Sequence, residues 1–309
     1  MFDPAAGVLI SDGGLATELE ARGHDLSDAL WSARLLVDDP GAIEAVHAAY
    51  FQAGADIATT ASYQASFEGF AARGLSRAES TRLLRRSVAL ARAARAAWTD
   101  GRRRWVAASV GPYGAALADG SEYRGRYGRS VAELRAWHRP RMEVLADAGA
   151  DLLALETVPD IDEAEAMVDL VTGIGVPAWL SYTIEGTRTR AGQSLADAFA
   201  VAAGSDAIVA IGVNCCAPAD VEAAIGLAAS TGKPVIAYPN SGEGWDPARH
   251  RWTGPAQFAP ALAPAWVARG ARVIGGCCRV GPAHIARLAS ELRGTSTATD
   301  LGSAGPSPR

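Results

Sequence analysis

Residues 207–238, AIVAIGVNCCAPADVEAAIGLAASTGKPVIAY, hold in one stretch the pattern on which the fold turns. An apolar, β-branched run at 207–213 ends on Asn214, Cys215 and Cys216, an Ala-rich helical pattern follows, and a second apolar run occupies 235–238. Runs so short and so uniformly apolar predict strands covered on both faces, the situation of a parallel sheet flanked by helices. The same alternation extends in both directions, with further strands expected at 8–11, 56–59, 105–109, 152–155, 178–182 and 272–274. Helices are expected between them, clearest at 41–54 after the start signal Asp38-Asp39-Pro40 and at 77–98, where Ala, Leu and Arg recur. Eight strand and helix units in one chain predict an α/β fold of the single (β/α)8 TIM barrel type, with a doubly wound open sheet as the alternative.

No repeat or linker divides the chain, which predicts one domain over 3–293, and a Ser-, Thr-, Gly- and Pro-rich tail at 294–309 is expected to be disordered. Among the 309 residues, 34 are acidic and 29 basic, a net charge of −5 that gives no footprint for nucleic acid or an anionic membrane. Small molecules are therefore the expected partners, and the sequence is silent on oligomeric state. The N-terminus lacks a basic segment followed by a long apolar one, and no run of ~18 apolar residues occurs, so the expected location is the cytoplasm.

The four cysteines fall in two adjacent pairs, Cys215-Cys216 and Cys277-Cys278. In a reducing compartment such clustering suggests metal or catalysis more than disulfides. Bridging within a pair is strained, because neighbouring Cα atoms lie ~3.8 Å apart and disulfides ordinarily begin at ~4.4 Å. Bridging across the pairs, or burial as small hydrophobes, stays open. Asp12, Glu156, Cys215 and Cys277-Cys278 all follow expected strands, and in a barrel such ends converge on one mouth. Alternate facing along a strand keeps Cys277 and Cys278 from sharing an ion in regular β structure. Gly275-Gly276 before them is expected to free the backbone so that both thiolates turn the same way. Cys215, Cys277 and Cys278 with an open fourth position then suit a catalytic Zn2+ site, and Cys216, facing away from Cys215, is left out. His24, His47, His138, His250 and His284 show no ligand spacing and are expected at the surface or at caps. The phosphate-binding glycine motifs are absent.

Five segments together resemble the homocysteine S-methyltransferase family, in order from residue 8 to about 290: Ser11-Asp12-Gly13-Gly14-Leu15-Ala16-Thr17-Glu18, Thr60-Ala61-Ser62-Tyr63-Gln64, Leu155-Glu156-Thr157, Gly212-Val213-Asn214-Cys215 and Gly275-Gly276-Cys277-Cys278. Tyr238-Pro239-Asn240-Ser241-Gly242-Glu243 looks like the branch that uses S-methylmethionine. The resemblance implies a (β/α)8 barrel that methylates homocysteine, with zinc on Cys215, Cys277 and Cys278. It further implies that Asp12 and Glu156, with Thr157 beside them, hold the homocysteine amino group, and that amides around Gly13 and Gly14 suit its carboxylate. Trp31 and Tyr63 align with aromatic positions flanking the methyl-donor site, where an aromatic face attracts a sulfonium cation. Asn240 and Ser241 are candidates to hydrogen-bond the donor. For Tyr113, Tyr123 and Tyr127 packing is the expected role, although the 111–127 connection could close over the site.

Other readings are a betaine- or selenohomocysteine-type methyltransferase, a zinc hydrolase on the same barrel, and a binding protein with a structural zinc that includes Cys216.

Overall fold

In the computed structural model, which describes residues 2–26, 31–246, 251–258 and 260–294, eight parallel strands pair edge to edge. In chain order they are β1 (Leu9–Ile10), β2 (Ile57–Thr59), β3 (Trp105–Val110), β4 (Leu152–Val158), β5 (Ala178–Tyr182), β6 (Ile208–Asn214), β7 (Val235–Tyr238) and β8 (Ala271–Ile274). Each pairs with its sequence neighbours from β2 to β8, and β8 pairs with β1 through Leu9 opposite Val273. A bridge between Ser11 and Ile57 joins β1 to β2, with Asp56 N donating to Ile10 O (2.7 Å) and Asp12 N to Ile57 O (3.1 Å). The sheet thus closes on itself, as the eight-unit reading requires, and the open doubly wound alternative falls.

Local signals set the helices as expected. Asp39 caps the helix Pro40–Gln52, its side chain accepting from Ala42 N (3.1 Å), and proline occupies the first turn where no N–H is needed. Reciprocal capping boxes, Ser76 with Glu79 and Ser130 with Glu133, start Arg77–Ala96 and Val131–Asp147. Their apolar stripes bury against the outer face of the barrel, forming the main core. Inside, Trp105, Leu152, Trp179, Ile236 and Val273 fill the lumen from different strands, and Phe2 packs edge-on to Trp105 (5.5 Å). At Gly212 on β6 a Cβ would collide with the Ile236 carbonyl oxygen, so glycine sets how closely β6 meets β7.

Two expectations are corrected here. Strand β4 runs to Val158, three residues beyond the expected end, which puts Glu156 inside the strand rather than after it. His47 and His138 lie neither at the surface nor at a cap, because both are fully buried on the barrel-facing sides of their helices. His284 does cap, its Nδ1 accepting from Gly281 N (3.2 Å). Gly294 closes the last helix, Pro282–Gly294, and residues 295–309 of the expected tail lie outside the described residues, as does His250. No helix among the described residues is long and apolar enough to cross a membrane.

Candidate active site

Three of the four thiols meet. Cys215 Sγ lies 2.7 Å from Cys277 Sγ and 3.8 Å from Cys278 Sγ, and all three sulfurs fall within 4.8 Å of one another. Cys215 reaches this point because its backbone leaves β6 in the left-handed region, at φ +49°. That conformation costs a non-glycine residue roughly 1–2 kcal/mol, and it is held by Cys215 N on Tyr238 O (3.3 Å) and by the Thr183 hydroxyl on Cys215 O (3.1 Å).

The loop after β8 brings Cys277 and Cys278 together by a different device from the one expected. Neither Gly275 nor Gly276 has a positive φ. Glycine is required there for room: a Cβ at 275 would lie 2.7 Å from Ser11 Cβ, and one at 276 would overlap the Val280 side chain. The loop is then pinned by Cys277 N on Pro239 O (2.8 Å), Cys278 N on Asn240 Oδ1 (3.1 Å) and Ser241 N on Cys278 O (2.9 Å). Asn240 and Ser241 therefore fix the backbone of Cys278, and the Ser241 hydroxyl is given to Glu243 Oε2 (2.8 Å).

Cys216 is buried in the main apolar core, apart from the sulfur cluster, and burial pushes its thiol well above the ordinary range. The donor set is thus three soft thiol ligands, and hydrogen bonds from Cys215 and Cys277 already hold the Cys278 thiol well below its usual range. A tetrahedral ion with Zn–S arms of about 2.3 Å has S···S edges of about 3.8 Å, which the Cys215–Cys278 pair already spans, whereas the Cys215–Cys277 pair, at 2.7 Å, would open by about 1 Å to admit the ion.

Two carboxylates are buried at the same mouth. Asp12 accepts from Thr59 N (2.7 Å), Thr59 Oγ1 (2.9 Å) and Ser11 Oγ (3.3 Å). Glu156 accepts from Ser109 Oγ (2.5 Å) and from the Tyr238 hydroxyl (3.0 Å). No Lys, Arg or His pairs with either among the described residues. Burial pushes both up to about 7, and the charge of Glu156 contributes to the shift of Asp12. An ammonium group placed between them would supply the missing cation.

Glu156 is aimed by a bulge. Pairing of β4 with β5 shifts register between Leu155 and Val158, and Thr157 within the shift adopts φ +58°. Asn214 locks this conformation, its Oδ1 accepting from Thr157 N (2.7 Å) and its Nδ2 donating to Thr157 Oγ1 (2.7 Å). Opposite, a Cβ at Gly13 would strike the Val280 carbonyl oxygen, and one at Gly14 would lie 2.7 Å from Cys277 O. The two glycines therefore let the start of the helix Leu15–Ala21 press against the thiol loop. Tyr50 braces this contact, donating to Gly14 O (2.9 Å) and Val280 O (3.1 Å).

Tyr63 belongs to the same cluster. Burial pushes its hydroxyl well above the ordinary range, and Cys215, Thr157 and Glu156 all act on it. A Cβ at Gly111 would lie 2.7 Å from its ring, so the start of the 111–127 connection packs directly on Tyr63. Trp31 begins a 3-10 turn, Trp31–Arg34, but its side chain lies outside the described residues. In the 111–127 connection Tyr113 packs edge-on against Tyr127 (5.4 Å) and Trp137 (5.0 Å), as packing predicts. Tyr123 departs from that expectation: its hydroxyl stands 3.8 Å from Cys215 Sγ.

Sequence reasoning missed Thr59, Ser109, Tyr238, Asn214 and Tyr123. The first four sit at or next to the C-terminal ends of β2, β3, β7 and β6, the same positional signal that singled out Asp12 and Cys215.

Comparisons with known proteins bear on the family and the fold. A family model described as Homocysteine S-methyltransferase matches residues 9–292. Homocysteine S-methyltransferase of Escherichia coli (strain K12) is 50% identical over 291 residues, 91% of this chain and 94% of that protein. Selenocysteine Se-methyltransferase of Brassica oleracea var. italica is 42% identical, covering 94% of this chain and 91% of that protein. The crystal structure of the homocysteine methyltransferase MmuM from Escherichia coli in its metallated form superposes with a TM-score of 0.84 at 47% identity, covering 92% of this chain and 96% of that one.

Proposed function

The chain belongs to the homocysteine S-methyltransferase family, and we propose that it uses zinc on Cys215, Cys277 and Cys278 to move a methyl group from S-methylmethionine to L-homocysteine. The observation that carries this reading is the pairing of the thiol cluster with two buried carboxylates that lack a cation. A thiol-bearing amino acid meets both needs at once.

In the proposed complex Asp12 and Glu156 hold the homocysteine ammonium, Thr157 shapes that wall, and amides around Gly13 and Gly14 receive the carboxylate. Zinc, when bound, supplies the acidity that keeps a thiol with an ordinary pKa of ~8.5 deprotonated at neutral pH. The acceptor thiol gives its proton to solvent on binding. Its sulfur then attacks the methyl carbon in line: the new C–S bond forms as the C–S⁺ bond of the donor breaks, with the electron pair returning to the leaving sulfur. Methionine and a neutral thioether result, and no covalent enzyme intermediate is needed. Tyr63 offers an aromatic face to the sulfonium, an attraction of ~0.5–2 kcal/mol, and Trp31 is assigned the same task.

Asn240 and Ser241 act on the donor side chiefly by fixing the Cys278 backbone, through the 3.1 Å and 2.9 Å bonds already described. A cytoplasmic protein is expected from thiols that must stay reduced.

The test is a methyl-transfer assay of the zinc-loaded protein with homocysteine against S-methylmethionine, S-adenosylmethionine and betaine in turn. The highest kcat/KM is expected with S-methylmethionine. Greater turnover with betaine would overturn the donor assignment.

A further inference from the structure

Around Tyr123 the site holds charged groups that homocysteine does not use. The 3-10 turn Ser121–Tyr123 carries Glu122, whose Oε2 is shut off from solvent and has no hydrogen-bond partner. The turn is tightly seated, since a Cβ at Gly114 would lie 2.5 Å from Glu122 N and 2.7 Å from Ser121 C. Over the Tyr123 ring sits the Arg190 guanidinium, its carbon 5.9 Å from the centroid. The Arg190 Nε is also buried without a partner, and the ion pair of this side chain is with Glu185, 83% exposed, at 3.5 Å.

A buried polar atom left unmatched is costly, and here the carboxylate next in sequence to Tyr123 and the guanidinium over its ring each carry one. The hydroxyl of that tyrosine lies 3.8 Å from Cys215 Sγ, and the Cys215 charge acts on Glu122, which ties this turn to the thiol cluster. An α-amino-acid zwitterion satisfies both. Asp12 and Glu156 are already taken by the acceptor.

We propose that Arg190 and Glu122 are the specificity-determining residues for the donor, the guanidinium receiving its α-carboxylate and the Glu122 carboxylate its α-ammonium. This rests on the S-methylmethionine reading above and adds to it the residues that hold the amino-acid end of the donor.

The test compares two donors in Arg190→Met and Glu122→Gln: S-methylmethionine, and trimethylsulfonium, which has the reacting centre without the amino-acid end. The ratio of kcat/KM for S-methylmethionine to that for trimethylsulfonium should fall by ~10- to 100-fold in each variant, the worth of a charge-assisted hydrogen bond, with the loss in the KM for donor. The KM for homocysteine should move less. Equal loss with both donors, or a loss carried by the KM for homocysteine, would overturn the assignment. If the wild-type protein used neither sulfonium, the underlying donor reading would fail and this inference with it.

Discussion

The Tyr238 hydroxyl lies 3.0 Å from Glu156 Oε2 while it accepts the indole N–H of Trp179 at 3.0 Å, so a side chain from the barrel lumen aims the carboxylate at the mouth. Ser181 Oγ completes the set at 2.7 Å. The site is thus tied to the packed interior on which the fold depends.

Removing that hydroxyl should cost binding more than chemistry. In Tyr238→Phe the KM for homocysteine is expected to rise ~10-fold, the lower end of what one hydrogen bond to a charged group is worth, with a smaller change in kcat. Steady-state kinetics with saturating donor checks this, and a change confined to kcat would remove Tyr238 from acceptor binding.

Acid should weaken the acceptor complex. Asp12 and Glu156 both sit near 7 in the free protein, so they become protonated as pH falls through that value and lose their attraction for an ammonium. The kcat/KM for homocysteine is expected to drop below about pH 7, with a slope approaching two protons. In Asp12→Asn that slope should be shallower by one.

The same shift predicts a trade between binding and stability. A carboxyl raised from 3.8 in Asp12 to about 7 contributes stability that is present below pH ~4 and lost as pH rises through about 7. With no homocysteine present, Asp12→Asn should therefore be more stable than wild type at pH 8, by ~1–3 kcal/mol, with little gain at pH 4.5. Denaturant midpoints at the two pH values decide it. A loss of stability at pH 8 would mean that the bonds from Thr59 outweigh the cost of burying the charge.

Asn214 is expected to matter for folding as well as for the site. Asn214→Ala removes both bonds to Thr157 and the one from Ser181 (2.8 Å), leaving buried partners unmatched, which should cost ~2–4 kcal/mol. A cost under 0.5 kcal/mol in urea unfolding would show that water replaces it freely.

The strands were legible in the sequence because each is a short apolar run ended by a polar or small residue. Even so, Glu156 was misplaced, because a bulge at Thr157 prolongs β4 beyond the apolar stretch. The convergence of Asp12, Glu156 and the cysteines was legible from strand ends alone. How Cys215 turns was not, since φ +49° is enforced by contacts with Thr183 and Tyr238, distant in sequence. Nor was the closeness of Tyr123, on a 3-10 turn in a glycine-rich connection with no periodicity to read. His138 was misread for a related reason: its partner Glu163 (2.8 Å) lies on the next helix, and a single helical pattern does not show which polar residue faces it.

The inequality of the two cysteine pairs yields a compositional prediction. Cys216→Ala should retain a full equivalent of zinc, because Cys216 packs in the apolar core. Cys277→Ser should lose the metal and turnover together, by metal analysis after dialysis.

The central claim is that homocysteine sulfur joins the three cysteine sulfurs, and zinc-edge X-ray absorption of the loaded protein with and without homocysteine tests it most directly. The sulfur count at zinc is predicted to rise from three to four on adding homocysteine. A count that stays unchanged would contradict it.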